Sequence, residues 1–443
     1  MNRLDWVDDY VANLRDFVFV RVEDCVLIKR PNHAYRLNAS AIGVLDRLFN
    51  RGERIADIVK DYRDPGRVEA DLETFFRDLR CLLTHGLPDG YRSEAVDTAP
   101  FDYHFSAYPI LSELAVTYQC NLKCVFCYAG CQCRKKNADE GAAAEKDGVA
   151  DAERLKYLLE RIRSDAKVPS VSFTGGEPLL HPQLPELIRH ARSLGLRVNL
   201  ITNGTLCDAA MIQRLVEAGL NSAQVSLEGT APEIHDAVTG VGGSHAASMA
   251  ALAGLRDAGI VVHPNTTLNR LNADDALRMP ELVRSLGLKR FSMNLMIPAG
   301  AGRNRRELVV PYSEIGGIVQ EVQRRARRAG VEFMWYAPTP MCLFNPIAHG
   351  LGNKGCAACD GLLSLAPNGD VLPCSSYDEP VGNLFTDDFE RVWFGSRAMA
   401  FREKQAAPAE CAGCEDFAAC QGACPLYWRE MGLRELPERI GSR

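Results

Sequence analysis

Cys120-Asn-Leu-Lys-Cys124-Val-Phe-Cys127-Tyr128 decides how this chain is read. Its cysteines stand at CxxxCxxC spacing directly after Leu114-Ala-Val-Thr-Tyr118, an apolar run that reads as a strand. The thiols therefore lie on the loop leaving that strand's C-terminal end. Three thiolates on so short a loop can converge on one metal centre. Iron–sulfur cubanes are ordinarily held by four cysteines. A set of three leaves one iron open, and an open metal position marks reactivity. Taken alone, the same residues also fit a structural zinc loop.

From residue 111 onward, strand and helix patterns alternate. Strands are expected over 113–117, 170–173, 197–201, 223–227, 260–268 and 290–297, with helical patterns between them, for example over 154–163 and 184–193. Six βα units in series predict an α/β fold, a parallel sheet with outer helices curled into a partial or complete barrel. Active sites of such barrels lie at the C-terminal strand ends, where the cysteine loop also lies. The second strand ends in Ser172-Phe-Thr-Gly175-Gly176-Glu177-Pro178, the third in Ile201-Thr202-Asn203-Gly204, the fourth in Val225-Ser226-Leu-Glu228-Gly229. Paired glycines at a strand end allow a close backbone approach to a ligand. Gly and Asn commonly terminate strands, so each motif is weak by itself. Their recurrence on the face that carries the cysteines argues for a pocket. Residues 135–150, rich in Ala, Glu, Lys and Gly, read as a surface insertion.

The 443 residues suffice for two or three domains, and 47% hydrophobic with 24% charged residues is a globular composition. A net charge of −6 gives no electrostatic reason to expect nucleic acid. Met1-Asn-Arg-Leu-Asp-Trp-Val-Asp-Asp9 lacks the apolar segment of a signal peptide. No apolar run approaches the roughly 18 residues of a membrane span. A cytoplasmic location is expected, and there thiols stay reduced, so the 16 cysteines read as metal ligands rather than disulfides. Cys25, Cys81 and Cys207 stand alone and read as small buried residues, while Cys131 and Cys133, close behind the CxxxCxxC loop, are expected to take no ligand role. His181, His235 and His263, near element ends, are expected to be structural.

Residues 1–95 read as a separate module of short strands over 17–22, 25–28 and 34–37 followed by three helices, a winged-helix-like α+β pattern without a basic face. Asn38 or Ser40 would cap the first helix. Residues 88–109 read as a linker, 96–335 as the barrel, and 336–443 as a cysteine-rich domain. That last region holds Cys342, Cys356, Cys359, the GxxxxC element Gly369-Asp-Val-Leu-Pro-Cys374, and Cys411-x2-Cys414-x5-Cys420-x3-Cys424. Zinc ribbons also use CxxC pairs, so the bare pattern leaves zinc open.

Taken together, CxxxCxxC followed by Tyr128, then Gly175-Gly176-Glu177-Pro178 on the next strand, resembles the radical S-adenosylmethionine (radical SAM) superfamily over roughly residues 111–301. The resemblance implies that Cys120, Cys124 and Cys127 hold a 4Fe–4S cluster whose open iron takes the amino and carboxylate groups of S-adenosylmethionine. It implies cofactor contacts from Tyr128, from Gly175, Gly176 and Glu177 to the amino group, from Asn203, and from Ser226 and Glu228 toward the ribose. The C-terminal region resembles the SPASM extension of radical SAM maturases, which binds two auxiliary iron–sulfur clusters. By that analogy Cys359, Cys374 and Cys424 join Cys342 or Cys356 on the first, and Cys411, Cys414 and Cys420 hold the second. The family usually has a further cysteine after this element, and none follows Cys424 in this sequence. The second cluster is left with an open iron, a non-cysteine ligand, or one of Cys342 and Cys356. Residues 1–95 resemble a PqqD-like peptide-binding domain, which implies a ribosomally made precursor peptide captured by strand addition. A flavodoxin-like or ferredoxin-like electron donor is implied as well. The expected activity is hydrogen abstraction from that peptide, leading to a crosslink or another oxidation. The alternatives are a radical SAM enzyme acting on a small molecule or tetrapyrrole, and a non-catalytic zinc-stabilised binding protein. No residue is singled out as a catalytic base.

Overall fold

The computed structural model describes residues 3–31, 33–84, 86–88, 91–96, 105–131 and 150–437. Cys133 and all but Ala150 of the expected surface insertion lie outside the described residues. The N-terminal module opens with a helix, Val7–Leu14, that the sequence reading did not anticipate. Strands β1 (Val18–Arg21), β2 (Val26–Lys29) and β3 (His33–Arg36) then form an antiparallel sheet in the order β1-β2-β3. Helices Ala39–Phe49, Ile55–Lys60 and Pro65–Thr84 follow, and Asn38 caps the first by accepting from the Ala41 N–H at 2.8 Å. Leu45, Leu48, Ile58, Phe76 and Leu79 close a core of their own beneath the sheet.

Seven parallel strands follow: β4 (Leu111–Thr117), β5 (Ser170–Gly175), β6 (Arg197–Thr202), β7 (Ser222–Ser226), β8 (Val261–Leu268), β9 (Arg290–Leu295) and β10 (Glu332–Trp335). The first six are the expected ones. Strands β11 (Leu362–Leu365), β12 (Asp370–Leu372) and β13 (Gly382–Asn383) continue the sheet beyond β4, with β11 parallel to it in the register Leu362↔Leu111. The cysteine-rich region thus extends the barrel wall instead of standing apart from it. The sheet runs from β10 to β13 without closing on itself among the described residues, which makes the barrel partial.

Period-2 alternation sets what faces each way. Leu114, Val116, Val171, Phe173, Val198, Leu200, Ala223 and Val225 join the apolar core formed with the outer helices, Ala152–Ser164 and Leu184–Ser193 among them. The intervening positions, Glu113, Ser172, Thr174, Asn199 and Ser226, therefore face the lumen. No helix among the described residues is long and apolar enough to cross a membrane.

The stretch read as a linker is tied down at both of its described ends. Asn38 N–H donates to Ala95 O at 3.0 Å, and Leu37 bridges Val96. At the other end Arg21, 1% exposed, pairs with Asp24 at 2.8 Å and donates to Pro109 O at 2.7 Å and Tyr108 O at 3.2 Å. Asp24 also accepts from the Ala107 N–H at 3.0 Å. A buried pair broken on one side leaves an uncompensated charge, so Arg21→Ala is expected to cost about 3–5 kcal/mol. Urea unfolding should show it. Replacing both Arg21 and Asp24 by apolar residues should recover most of the loss, which separates the orphaned charge from lost packing.

Candidate active site and metal centres

The cysteine loop is held from three sides by backbone approaches that only glycine permits. A Cβ on Gly175 (φ +133°) would meet Thr117 O at 2.1 Å, and one on Gly176 would meet Gln119 O at 2.1 Å. The Gly176 and Glu177 N–H groups donate to those same carbonyls, each at 2.8 Å. Lys123 and Val125 donate to Thr239 O and Val238 O at the end of helix Pro232–Thr239, and Gly240 (φ +70°) keeps clear of Lys123 O. Beyond β9, Gly300 (φ +53°) lies where a Cβ would be 2.4 Å from Cys127 O, and Ala301 N–H donates to that oxygen at 2.9 Å. The paired glycines thus seat the cysteine loop against the wall.

The three thiols lie in one another's field. Burial pushes the Cys124 thiol well above its ordinary range, reinforced by Glu228 and by Cys127 and Cys120; burial also raises Cys120. Cys120 Sγ accepts from the Leu122 N–H at 3.4 Å and lies 4.0 Å from Asn203 Nδ2. Cys127 is lowered to about 6, first by the Cys131 thiol and then, against burial, by the N–H groups of residues 129–131. Cys131, expected to stand aside, is buried against Cys127.

Among the described residues no group of three His, Cys, Asp or Glu closes around a single metal ion. A cubane binds each cysteine at a separate iron corner, so its sulfurs need not meet at a point. Buried thiols with a neighbouring carboxyl suit such a cationic iron core, which displaces their protons on binding. The donor set fits the group.

The remaining expected residues divide. Glu177, fully buried, accepts from Thr202 Oγ1 (2.7 Å), the Asn203 N–H (2.8 Å) and the Leu179 N–H (3.0 Å). Its carboxyl, pushed up to about 7 by burial, knits β5 to β6. Asn203 joins the cysteine loop to β6 through Asn121 Oδ1 at 2.9 Å. Glu228, raised to about 8 by burial, accepts from the Thr267 N–H at 2.8 Å, and its own N–H donates to His235 Nδ1 at 3.1 Å. Ser226 stands half-buried on the lumen face of β7. The Tyr128 hydroxyl lies beside Thr174 and Ser375, and burial raises it. His235 therefore positions Glu228. His181 uses both ring nitrogens, toward Ala150 O and the Gln183 N–H, whereas His263 Nε2 has no partner among the described residues.

Glu113, Thr174 and Ser375 were missed as site residues. Glu113 Oε1 accepts from Ser364 Oγ at 2.6 Å and the Ser375 N–H at 3.2 Å, in the field of Tyr128 and Cys374. Burial raises its carboxyl. Nothing in the local sequence distinguishes it from an ordinary strand residue.

The C-terminal cysteines form two sets. Cys359, Cys374 and Cys424 each lie in the field of Cys356, beside two buried cations. Arg402 Nε donates to Cys359 O at 3.1 Å and Lys404 Nζ to Cys356 O at 2.8 Å. Cys359 sits at φ +48°, strain of the kind that functional sites hold. The hairpin of β11 and β12, turned at Gly369 (φ +87°), delivers Cys374 to this set. Cys342, Cys411, Cys414 and Cys420 line a separate hollow. Of the solitary cysteines Cys207 is buried and Cys25 half-buried, but Cys81 is exposed, contrary to expectation.

Residues 114–283 match the radical SAM superfamily and residues 356–415 the iron–sulfur cluster-binding SPASM domain. The PqqA peptide cyclase of Ruegeria pomeroyi is 30% identical over 71% of this chain and 82% of its own length. The AdoMet-dependent heme synthase of Methanosarcina barkeri is 25% identical over 71% and 90%. In fold, the chain is similar to Streptococcus suis SuiB bound to precursor peptide SuiA, with a TM-score of 0.68, 16% identity, and 93% of this chain and 95% of that one covered. With its cysteine loop, glycine-braced strand ends and two further cysteine sets in place, the chain belongs to the radical SAM superfamily and carries a SPASM domain.

Proposed function

We propose that this radical SAM/SPASM enzyme modifies a ribosomally made precursor peptide. The observation that carries the reading is the docked N-terminal module, whose outer strand β3 offers an edge to an extended chain. The likeness to SuiB in complex with its precursor peptide covers 93% of this chain, too much to leave the whole module unmatched, and so supports it. Cys120, Cys124 and Cys127 would hold the 4Fe–4S cluster that binds S-adenosylmethionine, and Ser226 and Glu228 would face the nucleoside. When bound and reduced, these cofactors supply a 5′-deoxyadenosyl radical that takes a hydrogen atom from substrate. Around that chemistry stand the chain's own residues: Tyr128 lies beside Thr174 and Ser375, and Glu113, Asn199 and Ser226 line the lumen. Glu113, in the field of Tyr128 and Cys374, is the carboxylate we assign to take the proton given up in the oxidation, for which the auxiliary clusters, when bound, would supply the electron acceptor.

Leu37 N–H donates to Cys25 O, so by alternation the Ala34 N–H points away from β2, toward the edge along which no described strand pairs with β3. Ala34→Pro removes that donor. Binding of a labelled precursor peptide, followed by fluorescence anisotropy, is expected to weaken at least tenfold, with peptide-independent S-adenosylmethionine cleavage unchanged. Unaltered affinity would rule out strand addition at β3. The heme synthase relatives favour a second reading, a tetrapyrrole substrate. Stimulation of 5′-deoxyadenosine formation by a tetrapyrrole and not by the peptide would select it.

A further inference from the structure

Cys342, Cys411, Cys414 and Cys420 line one small hollow. Three of these cysteines come from one compact stretch, the turn Ala409–Cys411 and the short helix Phe417–Cys420 with Cys414 between them. Cys342 arrives separately, on the crossover that follows β10. That crossover is pinned in place. Tyr312 Oη donates to Pro338 O at 2.8 Å, Trp335 Nε1 donates to Thr339 Oγ1 at 2.9 Å, and Met341 N–H donates to Cys420 Sγ at 3.4 Å. The hydrogen bond from Met341 sets the neighbouring Cys342 beside the other three. Cys356, the alternative fourth ligand, belongs instead to the set braced by Arg402 and Lys404.

Pro340, Met341, Phe417, Trp428 and Leu436 make the rest of the lining mostly apolar. Asp416 is the sole carboxylate among the lining residues, and it is exposed. We infer that Cys342 is the fourth thiolate of the second auxiliary cluster and that Cys356 completes the first, so that both auxiliary clusters are saturated by cysteine. This rests on the radical SAM/SPASM reading for what the two sets hold. It excludes ligation of substrate by an auxiliary iron and leaves substrate recognition to the barrel lumen and the N-terminal module.

The experiment uses full-length protein reconstituted anaerobically, with iron and acid-labile sulfide counted per chain and the clusters followed by Mössbauer and electron paramagnetic resonance spectroscopy. Wild type is expected to hold about twelve irons. Cys342→Ala should lose up to about four of them, or show a three-iron signature, while Asp416→Asn keeps the wild-type count and spectrum. Cys356→Ala should perturb a different cluster signal from Cys342→Ala. Added 2-mercaptoethanol should leave the auxiliary signals of wild type unmoved, since no iron there is open. That last measurement needs no variant, so it still decides the matter if Cys342→Ala does not fold. A wild-type spectrum in Cys342→Ala, a changed one in Asp416→Asn, or a thiol-induced shift of the wild-type auxiliary signals would each overturn the inference. Zinc without sulfide in wild type would instead overturn the reading on which it rests.

Discussion

Replacing Cys120, Cys124 and Cys127 together by Ala is expected to bring S-adenosylmethionine cleavage to background and to remove about four irons per chain, while the auxiliary iron stays. The triple variant is the informative one because of Cys131. Its thiol lies against Cys127, so it stands ready to replace that sulfur in a Cys127→Ala protein and mask the loss. The fold should survive the triple change. The loop is fastened by backbone groups, those of Lys123, Val125 and Cys127, and by the glycines 175, 176, 240 and 300 that let neighbouring segments approach. None of these contacts uses a cysteine side chain. Circular dichroism should therefore match wild type, and iron and sulfide analysis should find the two C-terminal sets still loaded. Undiminished 5′-deoxyadenosine formation under dithionite would mean that the cofactor is cleaved elsewhere, and the assignment of this loop would fall.

Much of this was legible in the residues because the deciding signals are local. An apolar run ending in CxxxCxxC, and glycine pairs at strand ends, are contained in a few consecutive positions. Strands β4 to β9 could be read from alternation, since each carries apolar residues toward the helices and polar ones toward the lumen. Strand β11 could not. Leu362–Leu365 becomes a strand by pairing with Leu111–Leu114 from the other end of the barrel, and no propensity within four residues reveals that partner. Glu113 was hidden for the same reason. Its partner Ser375 lies 262 positions away, and a glutamate on a strand reads as a solvated face until the cysteine-rich region closes over it. Gly300 belongs to no strand-end motif, although its φ of +53° and the carbonyls of Cys127 and Tyr128 leave no room for a side chain. Glu177 sits in the motif, but the partners that fix its oxygens, Thr202 and Asn203, belong to the next strand end and are not visible in the motif itself.

Glu113→Gln is expected to separate the two halves of the reaction. Glutamine keeps the size of the side chain and one carbonyl oxygen to accept from Ser364 and the Ser375 N–H, so the lumen stays intact. It cannot take a proton. Formation of 5′-deoxyadenosine in the presence of peptide should continue, while modified peptide falls by about 10²–10⁴-fold, the usual worth of a positioned general base. The pH profile carries a second signature. Burial holds the Glu113 carboxyl above its ordinary range, so the form able to accept a proton accumulates only as pH rises past the raised value. Wild-type product yield should therefore climb through a window above the ordinary glutamate value of about 4.3, and the Gln variant should lack that limb. Stability moves the other way. A carboxyl raised on folding contributes stability that is complete below its unfolded value and lost as pH rises through the folded one. At neutral pH the Gln variant, which has nothing to ionise, should be at least as stable as wild type. A fall in product thus cannot be ascribed to unfolding. Mass spectrometry of the peptide beside quantified 5′-deoxyadenosine gives both readouts from one reaction. Product and 5′-deoxyadenosine formed by the variant in the wild-type ratio would remove Glu113 from the mechanism and move the search for the proton acceptor to Glu228.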